Sequence, residues 1–276
     1  MGNNTQIGYQ KRIVAFLDVL GFKNFLKEFE EEANKNSSTK NDDEKHFISY
    51  GANKFIEVFK DVIRLIASTD CNYYLFSDNI CITIDPTTNK ELAIDLLFTV
   101  SDLFRRFSEM GYFLRGGIDY GWMLDEKDIA MGLPLANAYL IENSVANFPR
   151  IIISENYKNF LDEICKFKEV GDNYIFSKEN FLVASCEITY LNPFYNVVKT
   201  DDKISFFSIY KKAIERGMTE NMKMERIYHK FKWLAEEFNR FLDLYLNNID
   251  TIEQEREIYQ EEIEEMKSLI IKDYAK

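Results

Sequence analysis

Soft metal ligands are few: the chain has two histidines and four cysteines. No Cys-x-x-Cys spacing occurs, and His46 and His229 lie in charged, helix-patterned surroundings, so no zinc site is expected. Cys71, Cys81, Cys165 and Cys186 read as reduced thiols of a cytoplasmic protein. Proline and glycine are also scarce, at 4 and 11 residues, which excludes collagen-like and low-complexity chains. Long apolar runs are missing: nothing reaches the roughly 18 uncharged residues of a membrane span. The polar start MGNNTQIGYQ has no secretory core, and Gly2 with Thr5 only loosely touches a myristoylation pattern. Positive charge is in deficit, with a formal net charge of −12. That excludes a continuous Lys/Arg face for gripping DNA or RNA phosphates. It does not exclude a nucleotide, because a few local cations and a metal ion can hold one triphosphate.

What remains is a globular composition, 46% hydrophobic and 15% aromatic over 276 residues. This length suits one large domain, or an ordinary domain with an extension. Lys11 to Leu17 is a nearly continuous apolar run that predicts a central strand buried on both faces. Asp18-Val-Leu-Gly21-Phe22 follows, then a helix with Phe22, Phe25, Leu26 and Phe29 on one side. Residues 34–45 (NKNSSTKNDDEK) lose periodicity and predict a surface insertion. A core-facing helix is expected over His46 to Ser68. Tyr73 to Phe76 and Ile80 to Ile84 predict a hairpin turning at Ser77-Asp78-Asn79.

Glu91 to Met110 predicts another amphipathic helix, stopped at Gly111. Tyr112 to Met123 (YFLRGGIDYGWM) reads as a glycine-interrupted strand where a backbone or ligand comes close. Leu133 to Val145 is expected to be helix, Arg150 to Ser154 strand, and Glu155 to Phe167 helix. This order predicts an α+β fold with a ferredoxin-like (βαββαβ) palm over residues 1–202. Residues 203–276 read as a C-terminal helical extension, packed on the palm or on a second subunit. Its strongest stripe is Phe231, Leu234, Phe238, Phe241, Leu242 and Tyr245.

Two acids carry the chemistry. Asp18 leaves a central strand and Asp78 sits at a hairpin tip. Two carboxylates brought together in these slots call for a cation, and hard divalent ions such as Mg²⁺ or Mn²⁺ suit them. The backbone N–H groups of Leu20, Gly21 and Phe22, at a helix start, would then face phosphates. Taken singly, each acid also fits a structural role, as a helix cap or a turn residue.

Four ordered blocks, AFLDVLGFKNF, YYLFSDNICI, LRGGIDYGWM and GLPLANAYLIE followed by PRIIIS, resemble the class III nucleotidyl cyclases. Within these they look most like the bacterial pyrimidine cyclases of Pycsar antiphage defence. The resemblance spans Ile13 to Ser154 and implies that Asp18 and Asp78 bind two Mn²⁺ or Mg²⁺ ions, with the Val19 carbonyl as an extra ligand. It also implies attack of a ribose 3′-hydroxyl on the α-phosphate, with release of pyrophosphate. Tyr74 stands where purine cyclases carry a base-reading Lys or Glu, which points to a pyrimidine triphosphate, UTP ahead of CTP. The transition-state Asn and Arg of the family align with Ala136 and Leu140, so both polar groups are missing.

Arg115 is the first candidate to replace them, with a strand ion pair to Asp119 or another acid as its alternative. Lys23, Asn79 and Asn137 are secondary candidates, each also readable as an ordinary helix or turn residue. A head-to-tail homodimer with shared sites and a separate effector reached through the cyclic product are further implications. Neither a nucleic-acid nor a membrane partner is expected. The alternatives are a catalytically silent palm that binds a nucleotide or a partner, a purine cyclase, and a palm polymerase; the last lacks its G-G-D-E-F or G-G-D-D signature.

Overall fold

A computed structural model describes residues 8–37, 48–64, 71–126, 129–168, 181–185, 187–195, 197, 200–249 and 256–272. The apolar run near the start forms β1 (Gln10–Val19), followed by α1 (Phe22–Ser37) and α2 (Tyr50–Ile63). Ser49 caps α2 by accepting from the Ala52 amide at 3.1 Å, a typical first-turn cap. The hairpin β2 (Cys71–Phe76) and β3 (Asn79–Ile84) leads to α3 (Leu92–Glu109) and β4 (Leu114–Glu126). These four strands lie in the order β2-β3-β1-β4, with every neighbouring pair antiparallel. That is the split βαβ order of a ferredoxin-like sheet, so the expected palm is present.

The remaining strands enlarge this sheet. β5 (Ile129–Gly132) pairs back on β4, β6 (Ile151–Ile153) runs parallel to β4, and β7 (Leu182–Ser185) with β8 (Ile188–Leu191) extends the edge. α4 (Leu133–Leu140) continues into a π-helical turn, Ile141–Val145, and α5 (Glu155–Lys168) follows β6. Three further helices, α6 (Lys203–Glu220), α7 (Glu225–Ile249) and α8 (Arg256–Ser268), close the chain.

Strand alternation divides the side chains of β1 between two clusters. Ile13, Ala15, Leu17 and Val19 join the large core beneath α2 and α3, whereas Val14 and Phe16 face a smaller cluster with Cys81, Met123 and Ala138. Asp18 continues the second row, on the side that α4 covers.

One expectation is corrected in detail. The expected insertion at 34–45 begins inside α1, which runs to Ser37 because Phe25 and Phe29 still find the core; its remainder, 38–45, lies outside the described residues. The C-terminal helices pack on the palm, one of the two placements expected for them. Phe206, Phe207 and Tyr210 of α6 and Leu234, Phe238 and Leu242 of α7 belong to the same cluster as Phe104 and Phe113. Of the four cysteines, Cys71 and Cys81 are free thiols, and burial pushes them up to about 11 and about 12. Such thiols stay protonated and unreactive. Cys186 and the Cys165 side chain lie outside the described residues, as does His46, and His229 is exposed on α7. No described helix is long and apolar enough to cross a membrane.

Candidate active site

Asp18 is the last but one residue of β1, opposite Asn79 of β3 and Arg115 of β4. Phe76 pairs with Asn79, so Ser77 and Asp78 form a two-residue hairpin loop. Ser77 has φ of 59°, the positive value that tight hairpin loops demand at their first central position. The Val19 amide donates to the Asp78 carbonyl at 3.1 Å, and Asn79 Nδ2 donates to Asp78 Oδ1 at 3.1 Å. Backbone pairing thus draws the hairpin tip onto the end of β1. Burial raises the Asp18 pKa; Arg115 opposes that rise, while the charge and hydrogen bonding of Asp78 add to it. The two carboxyl groups meet.

The turn after β1 opens outward. Gly21 has φ of 76°, and a Cβ placed there would meet nothing within 4 Å. The Leu20 amide, however, donates to the Phe113 carbonyl at 2.8 Å. This corrects the expectation of three phosphate-facing amides, because Leu20 continues the β1–β4 ladder and only Gly21 and Phe22 remain at the start of α1. Lys23 is exposed on α1.

Arg115 reaches both the site and its support. Its Nε donates to Asp18 Oδ2 at 2.6 Å, and its Nη2 lies 2.7 Å from Glu142 Oε1. The acid it pairs with is therefore Asp18, not Asp119. Asp119 is buried and accepts from Asn137 at 2.8 Å, Ser154 at 2.5 Å and Asn156 at 3.2 Å. Asn137 is thus a packing residue, and Asn79 orients Asp78. Gly117 lets α4 approach: a Cβ there would stand 2.6 Å from the Ala138 carbonyl oxygen. Close backbone approach, rather than room for a ligand, explains that glycine.

Tyr74 lies on the same sheet face as Asp18, through its pairing with Cys81 and then Phe16. Its hydroxyl donates to Asp125 Oδ1 at 2.7 Å. Asp125 Oδ2 also takes Arg12 Nε at 2.7 Å, Arg12 Nη2 at 2.6 Å and the Thr83 hydroxyl. Burial raises the Asp125 pKa, but the Thr83 and Tyr74 hydrogen bonds and the Arg12 charge outweigh it and hold the carboxyl below its ordinary value. Burial, with Asp125 beside it, pushes the Tyr74 phenol well above its ordinary value. Tyr74 is therefore a fixed neutral donor.

Arg12, Asp125 and Glu142 escaped the sequence reading. Arg12 carried a signal, since it shares the alternating row of Val14, Phe16 and Asp18. Asp125 carried none, because nothing in its local pattern joins it to Tyr74, 51 residues away.

Around this face several apolar side chains stay exposed, among them Phe76, Leu133, Tyr139 and Leu140. Phe16 bridges Phe76 and Tyr139, with ring centroids at 6.2 and 5.6 Å. Ala136 and Leu140 are exposed on α4. Among the described residues no three His, Cys, Asp or Glu side chains gather into a metal cluster. The donor set consists of two carboxylates and nearby backbone carbonyls. Such hard oxygens suit Mg²⁺ or Mn²⁺ sharing its shell with phosphate and water.

No protein-family model and no curated protein matches the sequence. The fold is similar to that of the adenylyl cyclase CyaB from P. aeruginosa, with a TM-score of 0.42 and 12% identity over 67% of this chain and 95% of that one. It is also similar to two structures of a bacterial light-regulated adenylyl cyclase. One has a TM-score of 0.43 and 12% identity over 69% and 54% of the two chains, the other 0.41 and 11% over 75% and 99%.

Proposed function

We propose that the chain is a nucleotidyl cyclase acting on a pyrimidine nucleoside triphosphate, UTP ahead of CTP. The observation that carries the proposal is the meeting of the Asp18 and Asp78 carboxyls at the open Gly21 turn, where the charge of Asp78 adds to the rise in the Asp18 pKa. Asp18, Asp78 and the Val19 carbonyl would hold Mn²⁺ or Mg²⁺, two ions per site. When bound, these ions neutralise phosphate charge and acidify the ribose 3′-hydroxyl for in-line attack.

The chain's own groups supply the rest. The Gly21 and Phe22 amides receive phosphate oxygens at the N-terminus of α1. Arg115, braced by Glu142, keeps a guanidinium beside Asp18 and reaches the α-phosphate, offsetting charge where Leu140 offers none. Tyr74, held by Asp125, shapes the base pocket and presents no cation to a purine.

The exposed Phe76, Leu133, Tyr139 and Leu140 suit a head-to-tail homodimer with shared sites. By the class III resemblance, the cyclic product would act in antiphage defence through a separate effector. A cytoplasmic setting follows from the same proposal.

Incubation of the purified protein with each of the four NTPs and Mn²⁺ is expected to give a 3′,5′-cyclic monophosphate and pyrophosphate, most from UTP. Tyr74→Lys is expected to shift the ratio of kcat/KM towards ATP by about tenfold, a factor one lost or gained polar contact supplies. No cyclic product from any NTP would sink the enzymatic proposal. A second possibility, a silent palm that binds nucleotide without turnover, is favoured by Ala136 and Leu140; it predicts binding with no pyrophosphate.

A further inference from the structure

The C-terminal helices hold a feature that core packing leaves unexplained. α7 starts where α6 lets it come close: a Cβ at Gly217 would collide with the Phe231 ring. Phe231 then packs edge-on against Phe113, with centroids 5.7 Å apart, and Trp233 stacks on Phe148 at 5.3 Å. Phe113 immediately precedes β4, and its carbonyl takes the Leu20 amide of the Asp18 turn. Phe148 follows the π turn that carries Glu142. Two aromatic contacts therefore fix the first turns of α7 against Phe113, next to β4, and Phe148, next to the turn that carries Glu142.

Lys230 immediately precedes the first of these anchors, Phe231. It is half-buried and within electrostatic reach of Arg115, Arg226, Asp18 and Glu142. No described residue forms a hydrogen bond or ion pair with its ammonium group. Arg226, one turn earlier on the same face, is exposed and likewise without an ion pair among the described residues. A half-buried ammonium beside two guanidinium groups is unfavourable by itself. Burial and those two neighbours lower its pKa, against the pull of Asp18 and Glu142. In a chain of net charge −12, Lys230 and Arg226 are two cations without an ion pair among the described residues, next to Arg115, whose charge Asp18 and Glu142 take up; they offer charge to a polyanion.

We propose that Lys230, carried in by the C-terminal helix α7, binds the polyphosphate of the nucleotide and supplies in cis a cation that α4 lacks. The inference rests on the triphosphate site proposed above. It makes α7 part of the substrate site and not only a cover for the core.

The test compares the full-length parent with Lys230→Met, Lys230→Gln and Lys230→Arg, using turnover kinetics and calorimetric binding of inorganic tripolyphosphate with Mn²⁺. Lys230→Met and Lys230→Gln are expected to raise both KM for the NTP and the tripolyphosphate Kd at least tenfold. Uridine binding and melting temperature should stay unchanged, and Lys230→Arg should recover most of the loss. Values within twofold of the parent in both variants would overturn the inference, whatever the parent's activity.

If the parent binds tripolyphosphate but makes no cyclic product, the cyclase proposal fails while Lys230 is still judged by Kd. If the parent makes cyclic product but binds no tripolyphosphate, the Lys230 inference fails while the cyclase proposal stands.

Discussion

Asp78→Asn is expected to lose about a thousandfold in kcat, the scale of removing a group that positions or offsets charge in a transition state. Its fold should survive. The amide is isosteric and still accepts from Asn79, and the Asp78 carbonyl keeps its bond from Val19. Loss of the charge also relieves Asp18, whose pKa Asp78 helps to raise. Melting within about 2 °C of the parent is therefore expected, since ΔΔG well under 1 kcal/mol moves a chain of this size little. Full activity in the variant would show that the site is misplaced. A large drop in melting temperature would show that Asp78 serves the turn rather than the chemistry.

The largest stability effect is expected at the opposite end of the same face. Asp125→Ala should cost about 3 kcal/mol in urea denaturation, because it strips a buried guanidinium of its main counter-charge. The side chains of Arg12 and Asp125 are 5% and 0% exposed, and the pair is joined at 2.6 Å. The Thr83 and Tyr74 hydroxyls lose the same acceptor. By contrast, the Arg105–Asp102 pair on α3 joins neighbours along one helix, with both side chains 21% exposed. Removing Asp102 should cost no more than about 1 kcal/mol, the range of exposed helical pairs. Equal losses for the two variants would remove the buried pair from its structural role. Asp125→Asn, which keeps an acceptor for Tyr74 but loses the charge, should fall between.

The strand, acid, glycine turn and helix at residues 11–29 were legible because a doubly buried strand leaves an unbroken apolar run. The hairpin around Ser77-Asp78 was legible from its turn residues, and the C-terminal helices from their stripes. β5, β7 and β8 were not, for a physical reason. Each is four residues long, and β7 ends in the exposed pair Ala184 and Ser185, so neither alternation nor a core run develops. The choice between palm and second subunit for the extension was left open, since a stripe on α7 does not name what it packs against.

At the site, spacing identified the acids but not their meeting, which depends on antiparallel register. The Leu20 amide shows the same limit: its bond to Phe113 follows from the β1–β4 ladder and not from its place before a helix. Glu142 comes to Arg115 through the fold of the α4 region onto β4, and Lys230 comes near through the α6–α7 crossing at Gly217. Long-range packing decides all of these.

The proposed cyclase depends on two carboxylates, one from a strand end and one from a hairpin, that jointly bind divalent cation with a nucleotide. Electron paramagnetic resonance of Mn²⁺ titrated into protein with a non-cleavable UTP analogue measures this directly. The parent should bind Mn²⁺ in a nucleotide-dependent manner, and Asp18→Ala and Asp78→Ala should each weaken it at least tenfold. Undiminished Mn²⁺ binding in both variants would contradict the account.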